Sequence, residues 1–310
     1  MAAAEAFAPA TVANLGAGFD FMGMAIEAVG DRVRAEFAPQ SGLRMQSVCG
    51  LMDSLPGDVS SNTALRAAQA VLDAANSDAG IAISVEKGAP LSAGMGGSAS
   101  SAVAAALAVN ALLGGPLDKH AVLRCALEGE RASSDPPPVD NVAASLYGGL
   151  ILVAPGAPFH IARLNPPAWL RCVVIHPDFR IETRAARQAL SSYARMDVAV
   201  RHAAHAATLV AGLQSGDEDA IRRGLNDILV EPQRRSLAPF FGEAKSAAIA
   251  AGALGASFSG SGPSLFALCE RSRERDIAMA MRSAIEKRGY DATPYFTSLN
   301  AEGARVECVS

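Results

Sequence analysis

Aromatic side chains are scarce: one tryptophan, four tyrosines and eleven phenylalanines make up 5% of 310 residues, although half of the chain is apolar. A core with so few rings packs through small side chains and close backbone approach, which the 28 glycines and abundant alanine allow. Cysteine pairing is also missing. Cys49, Cys125, Cys172, Cys269 and Cys308 contain no Cys-x-x-Cys spacing. They suit the reduced thiols of a cytoplasm rather than a disulfide framework, and each reads as a small buried hydrophobe.

Charged residues are modest in number, 19%, with a formal net charge of −4. No basic stripe runs against that balance, so nucleic acid is excluded as a partner. An anionic ligand is not excluded, because backbone amides and single cations build phosphate sites locally. The longest apolar run, residues 102–113, is shorter than a membrane span and contains Asn110. The first ten residues carry Glu5 and no basic stretch, so neither a signal peptide nor a membrane helix is expected.

What is present is a mixture of periods. Arg32-Val33-Arg34-Ala35-Glu36-Phe37 alternates as a half-buried strand does, and so do residues 81–85. Residues 63–75 place Leu65, Ala68 and Leu72 on one helical face. A small-residue helix from about residue 99 stops at Gly114-Gly115-Pro116, and another covers 118–131. Strands are expected at 150–153, 172–175 and 265–269, and helices over 183–213, 217–229 and, as the last one, 241–251. The turn-rich stretch 155–167 divides the chain into expected domains 1–155 and 156–310. Without a regular βαβ rhythm, the fold class is α+β.

One segment carries chemistry. Pro90-Leu91-Ser92-Ala93-Gly94-Met95-Gly96-Gly97-Ser98-Ala99-Ser100-Ser101 stands between a strand and a helix. Its glycines allow positive φ and leave amides unshielded at a helix start, where the dipole favours an anion. The hydroxyls of Ser98, Ser100 and Ser101 add donors or metal ligands. No Gly-Lys-Ser/Thr follows, so this is not a Walker loop, and the Rossmann spacing fails. By residues alone, a connecting turn and a phosphate loop are both open readings. A second glycine loop, Ser259-Gly260-Ser261-Gly262-Pro263 after Gly252-Ala253, is either a tight turn before a strand or a close-approach site. Near the N-terminus, Asn14 and Asp20 flank a glycine turn, either lining one cavity or closing Asx turns on their own backbone.

The first loop resembles Pro-x-x-x-Gly-Leu/Met-Gly-Ser-Ser-Ala, the phosphate loop of the galactokinase, homoserine kinase, mevalonate kinase and phosphomevalonate kinase (GHMP) superfamily. It departs at Gly97, where that family usually has serine. The second loop is similar to the superfamily's C-terminal glycine signature. Pro9-Ala10-Thr11-Val12-Ala13-Asn14-Leu15-Gly16-Ala17-Gly18-Phe19-Asp20 resembles the opening motif of the homoserine kinases. Asp140-Asn141-Val142-Ala143, Thr183 to Leu190 with Arg187, and Glu231-Pro232-Gln233-Arg234 resemble further segments of that family. Pro138 stands where the family commonly has a histidine contacting the amino acid.

The resemblance implies ATP-dependent phosphorylation of the side-chain hydroxyl of L-homoserine, in threonine biosynthesis. It implies an N-terminal half like ribosomal protein S5 domain 2, a ferredoxin-like C-terminal half, and compatibility with a homodimer. ATP would contact Asn62 and the loop from Pro90 through Ser100, with Mg²⁺ near Ser98 and Glu130. Homoserine would meet Asn14, Asp20, Asp140, Arg187, Arg234 and Gly260, the two arginines at its carboxylate. Asn14 and Asn141 would orient the attacking hydroxyl, with no strong base beside it. Lys87, just before the loop, either steers phosphate or, as the default, is an exposed lysine, and the five histidines read as ordinary surface or core residues.

Overall fold

The computed structural model describes residues 2–154, 156 and 159–310. Pro155, the last residue of the expected first domain, lies outside the described residues. The chain begins with β1 (Ala3–Asn14), β2 (Gly18–Ala38), β3 (Gly42–Gly50), α1 (Thr63–Ala74), β4 (Gly80–Lys87) and α2 (Gly97–Leu112). It continues through α3 (Lys119–Glu130), α4 (Val139–Tyr147), β5 (Leu150–Ala154), β6 (His160–Leu164), β7 (Leu170–Pro177) and α5 (Thr183–Gln188). Then come α6 (Met196–Ser215), α7 (Glu218–Gly224), α8 (Glu231–Arg234), α9 (Phe241–Ala250), β8 (Gly255–Phe258) and β9 (Leu265–Glu270). The last elements are α10 (Glu274–Glu286), β10 (Ala292–Ser298) and β11 (Arg305–Val309).

Two sheets organise these elements, in keeping with α+β. The first has the order β11-β1-β2-β4-β3, with β5 and β6 added beside β2; only the β3–β4 pair is parallel. Both β6 and β11 come from beyond residue 155, so this sheet draws on each of the expected domains. The second sheet is antiparallel in the order β10-β7-β9-β8, with helices between β7 and β8 and α10 between β9 and β10. With its first and third strands central, this is a ferredoxin-like layer.

Helix α2 explains the alanine content. Thirteen of its sixteen residues are buried, among them Ala99, Ala102, Ala104, Ala105, Ala106 and Ala108. A helix apolar on every face must lie inside, and small side chains let α1, α3 and the first sheet close on it. That position fixes where its first turn points, and so where the glycine loop opens.

Beneath that turn sits a buried ion pair. Lys87 Nζ donates to Asp31 Oδ2, to Gly97 O (2.8 Å) and to Ser101 Oγ (2.9 Å). Asp31 Oδ1 accepts from Gly88 N at 3.1 Å and Ala89 N at 3.0 Å. Lys87 is 1% exposed, so the expectation of an exposed lysine is corrected: its ammonium is spent holding the glycine loop and the start of α2 to β2 and β4. Removing one member leaves the other charge buried without a partner. Lys87→Met is therefore expected to lower unfolding free energy by about 3–5 kcal/mol in urea titrations. Adding Asp31→Asn to it should return part of that loss.

Local chemistry overrode periodicity in several places. The helix expected over 183–213 breaks at 189–195, where Ser191 Oγ donates to Tyr193 O and accepts from Tyr193 N. The one over 217–229 stops at Gly224, because Asp227 accepts from the amides of Leu229, Val230 and Glu231 and turns the chain. Helix α10 follows the helix expected to be last, although Ile277, Met281 and Ile285 mark its inner face. Cys49 and Cys308 are exposed, against the expectation that every cysteine is buried; Cys125, Cys172 and Cys269 are buried.

Candidate active site

A cavity of about 650 Å³ opens between the two sheets. One end is formed by Leu91, Ser92, Ala93, Gly94, Gly96, Gly97 and Ser98, with Glu130 from α3. The cavity is lined as well by Asn14, Asp20, Arg187 and Arg234, with Asp140 and Asn141 from α4 and Gly260 from the second glycine loop; Asn141 and Gly260 lie against Gly96 and Gly94 of the first loop.

Backbone conformation builds the first end. Ser92, Gly94 and Gly96 have φ of 51°, 71° and 62°, the left-handed region that glycine enters without penalty. Gly96 is the residue before the first turn of α2. A Cβ there would collide with Thr11 Oγ1 and lie 2.9 Å from Asn141 Oδ1. At Gly97, the family's usual serine would put its Cβ 2.7 Å from Pro90 O. Glycine is thus what this loop's own packing requires at both positions. Of the loop's serines, Ser92 and Ser98 line the cavity, and Ser98 Oγ donates to Glu130 Oε2 at 3.1 Å. Ser100 donates to Ala8 O at 2.6 Å and Ser101 to Asp31 Oδ2 at 2.6 Å, so both are fastened into the core rather than free for a ligand. Pro90, Met95, Ala99 and Ser100 support the loop from behind and do not line the cavity. Neither does Asn62, whose Oδ1 caps α1 by accepting from Ala64 N and Leu65 N while Nδ2 donates to Pro56 O at 2.6 Å.

The second glycine loop docks onto the first. Ser259 Oγ donates to Gly94 O at 2.6 Å and Ser264 N to Ala93 O at 3.1 Å. Gly260 N donates to Ala13 O at 3.1 Å, and Asn14 Nδ2 returns a bond to Gly260 O at 2.8 Å. Asn14 Oδ1 accepts from Asp20 N at 3.1 Å. Asn14 thus closes the turn and lines the cavity together, with one amide N–H left over. Sequence reasoning passed over Thr11. Its buried hydroxyl donates to Asn141 Oδ1 at 2.6 Å, which turns the Asn141 NH₂ away from the core. The signal was available, since Thr11 sits in the same motif as Asn14.

Arg187 grips Asp20 with two bonds, Nη1 to Oδ2 at 2.9 Å and Nη2 to Oδ1 at 3.2 Å. Arg234 is 4% exposed; its Nε donates to Ala186 O at 3.0 Å and its Nη1 to Gly260 O at 3.3 Å. Burial lowers its pKa from the usual guanidinium value, a cost that an anion beside it would offset. Asp140 Oδ1 accepts from Asn141 N at 2.8 Å and from Nδ2 at 3.3 Å. Pro138 precedes α4 on the cavity wall and has no donor to offer there.

Four buried side-chain polar atoms lack a partner among the described residues: Glu130 Oε1, Asp140 Oδ2, Arg187 Nε and His202 Nδ1. Three belong to the cavity, and buried polar groups are left unpaired where a ligand completes them. Burial raises Glu130 from 4.5 to about 7; burial and the charge of Asp20 raise Asp140 from 3.8 to about 7. A carboxyl whose folded pKa is raised contributes stability below its unfolded pKa, lost as pH rises through the folded value. The melting temperature of the ligand-free protein is therefore expected to fall between about pH 4 and about pH 7. Each group's ceiling is on the order of 3 kcal/mol. Glu130→Gln should flatten that slope in differential scanning calorimetry.

A wider, open concavity of about 770 Å³ between α8 and α9 shares no residue with this cavity, and its lysine, Lys245, is paired with Glu231 at 2.5 Å. The chemistry collects in the smaller one.

Residues 62–149 match the GHMP kinases N terminal domain and residues 209–287 the GHMP kinases C terminal domain. A homoserine kinase of Xanthomonas campestris is 40% identical over 304 residues, 98% of this chain and 94% of that one. The chain belongs to the homoserine kinase family of GHMP kinases. A family member from Thermoplasma acidophilum is 39% identical over 285 residues, 91% of this chain and 90% of its own. The crystal structure of homoserine kinase from Cytophaga hutchinsonii superimposes with a TM-score of 0.94 at 37% identity, covering 98% of this chain and 97% of that one. The mevalonate kinase of L. major, solved with R-mevalonate, shares the fold at 19% identity, TM-score 0.73, over 95% of this chain and 96% of its own. No helix among the described residues is long and apolar enough to cross a membrane.

Proposed function

We propose that this enzyme transfers the γ-phosphoryl group of ATP to the side-chain hydroxyl of L-homoserine, giving O-phospho-L-homoserine and ADP. The observation that carries this reading is the Asp20–Arg187 pair. The two groups neutralise each other in a cavity that the phosphate loop also lines. An amino-acid zwitterion fits such a pair without changing its net charge. Its ammonium replaces Arg187 against Asp20, and its carboxylate takes Arg187, including the unpaired Nε, together with Arg234. A mevalonate-type alcohol has no ammonium and leaves Asp20 unanswered.

Phosphoryl transfer depends mostly on positioning and charge neutralisation. The amides of the loop from Gly94 to Ser98 hold the phosphates at the start of α2. The free N–H bonds of Asn141 and Asn14 direct the substrate hydroxyl toward the phosphorus. The hydroxyl oxygen attacks as the bond to ADP breaks, and its proton leaves late, to a phosphoryl oxygen. Asp140 holds the Asn141 amide and takes no proton in this scheme. Ser98 and Glu130, with the unpaired Oε1, suit a hard divalent cation, and we assign Mg²⁺ to them. When bound, Mg²⁺ would neutralise phosphate charge. Asn62 would serve the nucleotide through the helix it caps, not through its amide.

Coupled ADP-release assays with homoserine, serine, threonine and mevalonate test the assignment. Turnover with homoserine far above the others is the expected result; turnover only with mevalonate overturns it.

A further inference from the structure

We infer that Arg184 binds the phosphoryl group in flight, contacting the γ-phosphate of ATP and the same group once it is on the product. The inference rests on the ATP-dependent kinase reading above and adds a residue that reading does not use.

The argument starts from charge. The cavity is lined by four carboxyl residues, Asp20, Glu130, Asp140 and Glu182, and by three cationic ones, Arg184, Arg187 and Arg234. A triphosphate entering it meets no lysine, because Lys87 is sealed under the loop against Asp31. Arg187 is held by Asp20, and Arg234 by the carbonyls of Ala186 and Gly260. Among the described residues Arg184 alone of the three forms no hydrogen bond and no ion pair, and it stands exposed on the cavity wall.

Its place on α5 gives the direction. Thr183, one residue before it, lies with Oγ1 3.5 Å from Ser261 Oγ in the second glycine loop. That loop is fastened to the phosphate loop through Ser259 Oγ and Gly94 O. Arg187 follows three residues later on the same helical face, at Asp20. Helix α5 therefore starts beside the loop that is fastened to Gly94 and reaches Asp20 at Arg187, with Arg184 between the two on the cavity wall. Charge moves onto the bridging and peripheral oxygens during transfer, and a guanidinium there serves the transition state more than ADP.

Arg184→Ala and Arg184→Lys test this, with steady-state kinetics and calorimetric binding of ATP and of ADP, each with Mg²⁺. Because Arg184 has no partner in the fold, the melting temperature should not change. The alanine variant is expected to lose on the order of 100-fold in kcat. Its affinity for ATP should weaken about tenfold, that for ADP less than about twofold, and the KM for homoserine should hold. The lysine variant should recover part of the loss. Unchanged kcat, or equal weakening of ATP and ADP, overturns the assignment. Wild-type protein that turns over no homoserine would instead overturn the proposed function, while the ATP-to-ADP comparison still reads Arg184.

Discussion

Arg234→Ala is expected to raise the KM for homoserine by roughly 10- to 100-fold while that for ATP stays within about twofold. The range follows from a charge-assisted bond to a carboxylate, about 1.5–3 kcal/mol, where 1.4 kcal/mol is tenfold. The split between substrates follows from what Arg234 touches: it donates to Ala186 O and Gly260 O, lies over the Phe19 ring in the turn that carries Asp20, and makes no bond to the first glycine loop. Arg234→Lys should recover little, because an ammonium cannot donate to two carbonyls and a planar carboxylate in one geometry. The buried guanidinium also holds the loop, so a lower melting temperature without substrate will accompany the change. Losses of equal size for ATP and homoserine would mean that only this structural part exists.

The second large effect is on turnover. Asn141→Ala should lower kcat by about 100- to 1,000-fold, with the KM of either substrate moved only a few-fold, since its amide acts on the reacting hydroxyl rather than on binding. Thr11 sharpens the test. Its hydroxyl fixes which end of the Asn141 amide faces the cavity, so Thr11→Val should reproduce part of the kcat loss and Thr11→Ser should not. Full turnover in Asn141→Ala, measured by single-turnover quench, would remove orientation by that amide from the mechanism.

Much of the site could be read before any coordinates, for a definite reason. Glycine loops and arginine-bearing motifs are local: positive φ at Gly94 and Gly96, or a helix start at Gly97, depends on a few consecutive residues. The same holds for α1, α3 and β4, whose periodicity is unambiguous over a whole element. Where a side chain competed with the backbone, periodicity misled, as at Ser191 and Asp227. Burial misled in its own way. A lysine beside a glycine-rich loop reads as solvent-facing, and only the positions of Asp31 and Ser101, 56 and 14 residues away in sequence, show it sealed.

By itself, then, the sequence determined the α+β class, the two glycine loops, the family and the set of charged residues available to a phosphate and an amino acid. Tertiary structure alone decided how those residues are spent. It faced Ser98 into the cavity and fastened Ser100 and Ser101 into the core. It paired Asp20 with Arg187, set Thr11 against Asn141, and left Arg184 without a partner. The physical reason is that a polar side chain's role depends on which unsatisfied group it meets, and those meetings join β1 to α4 and β2 to α5 across more than a hundred residues of chain.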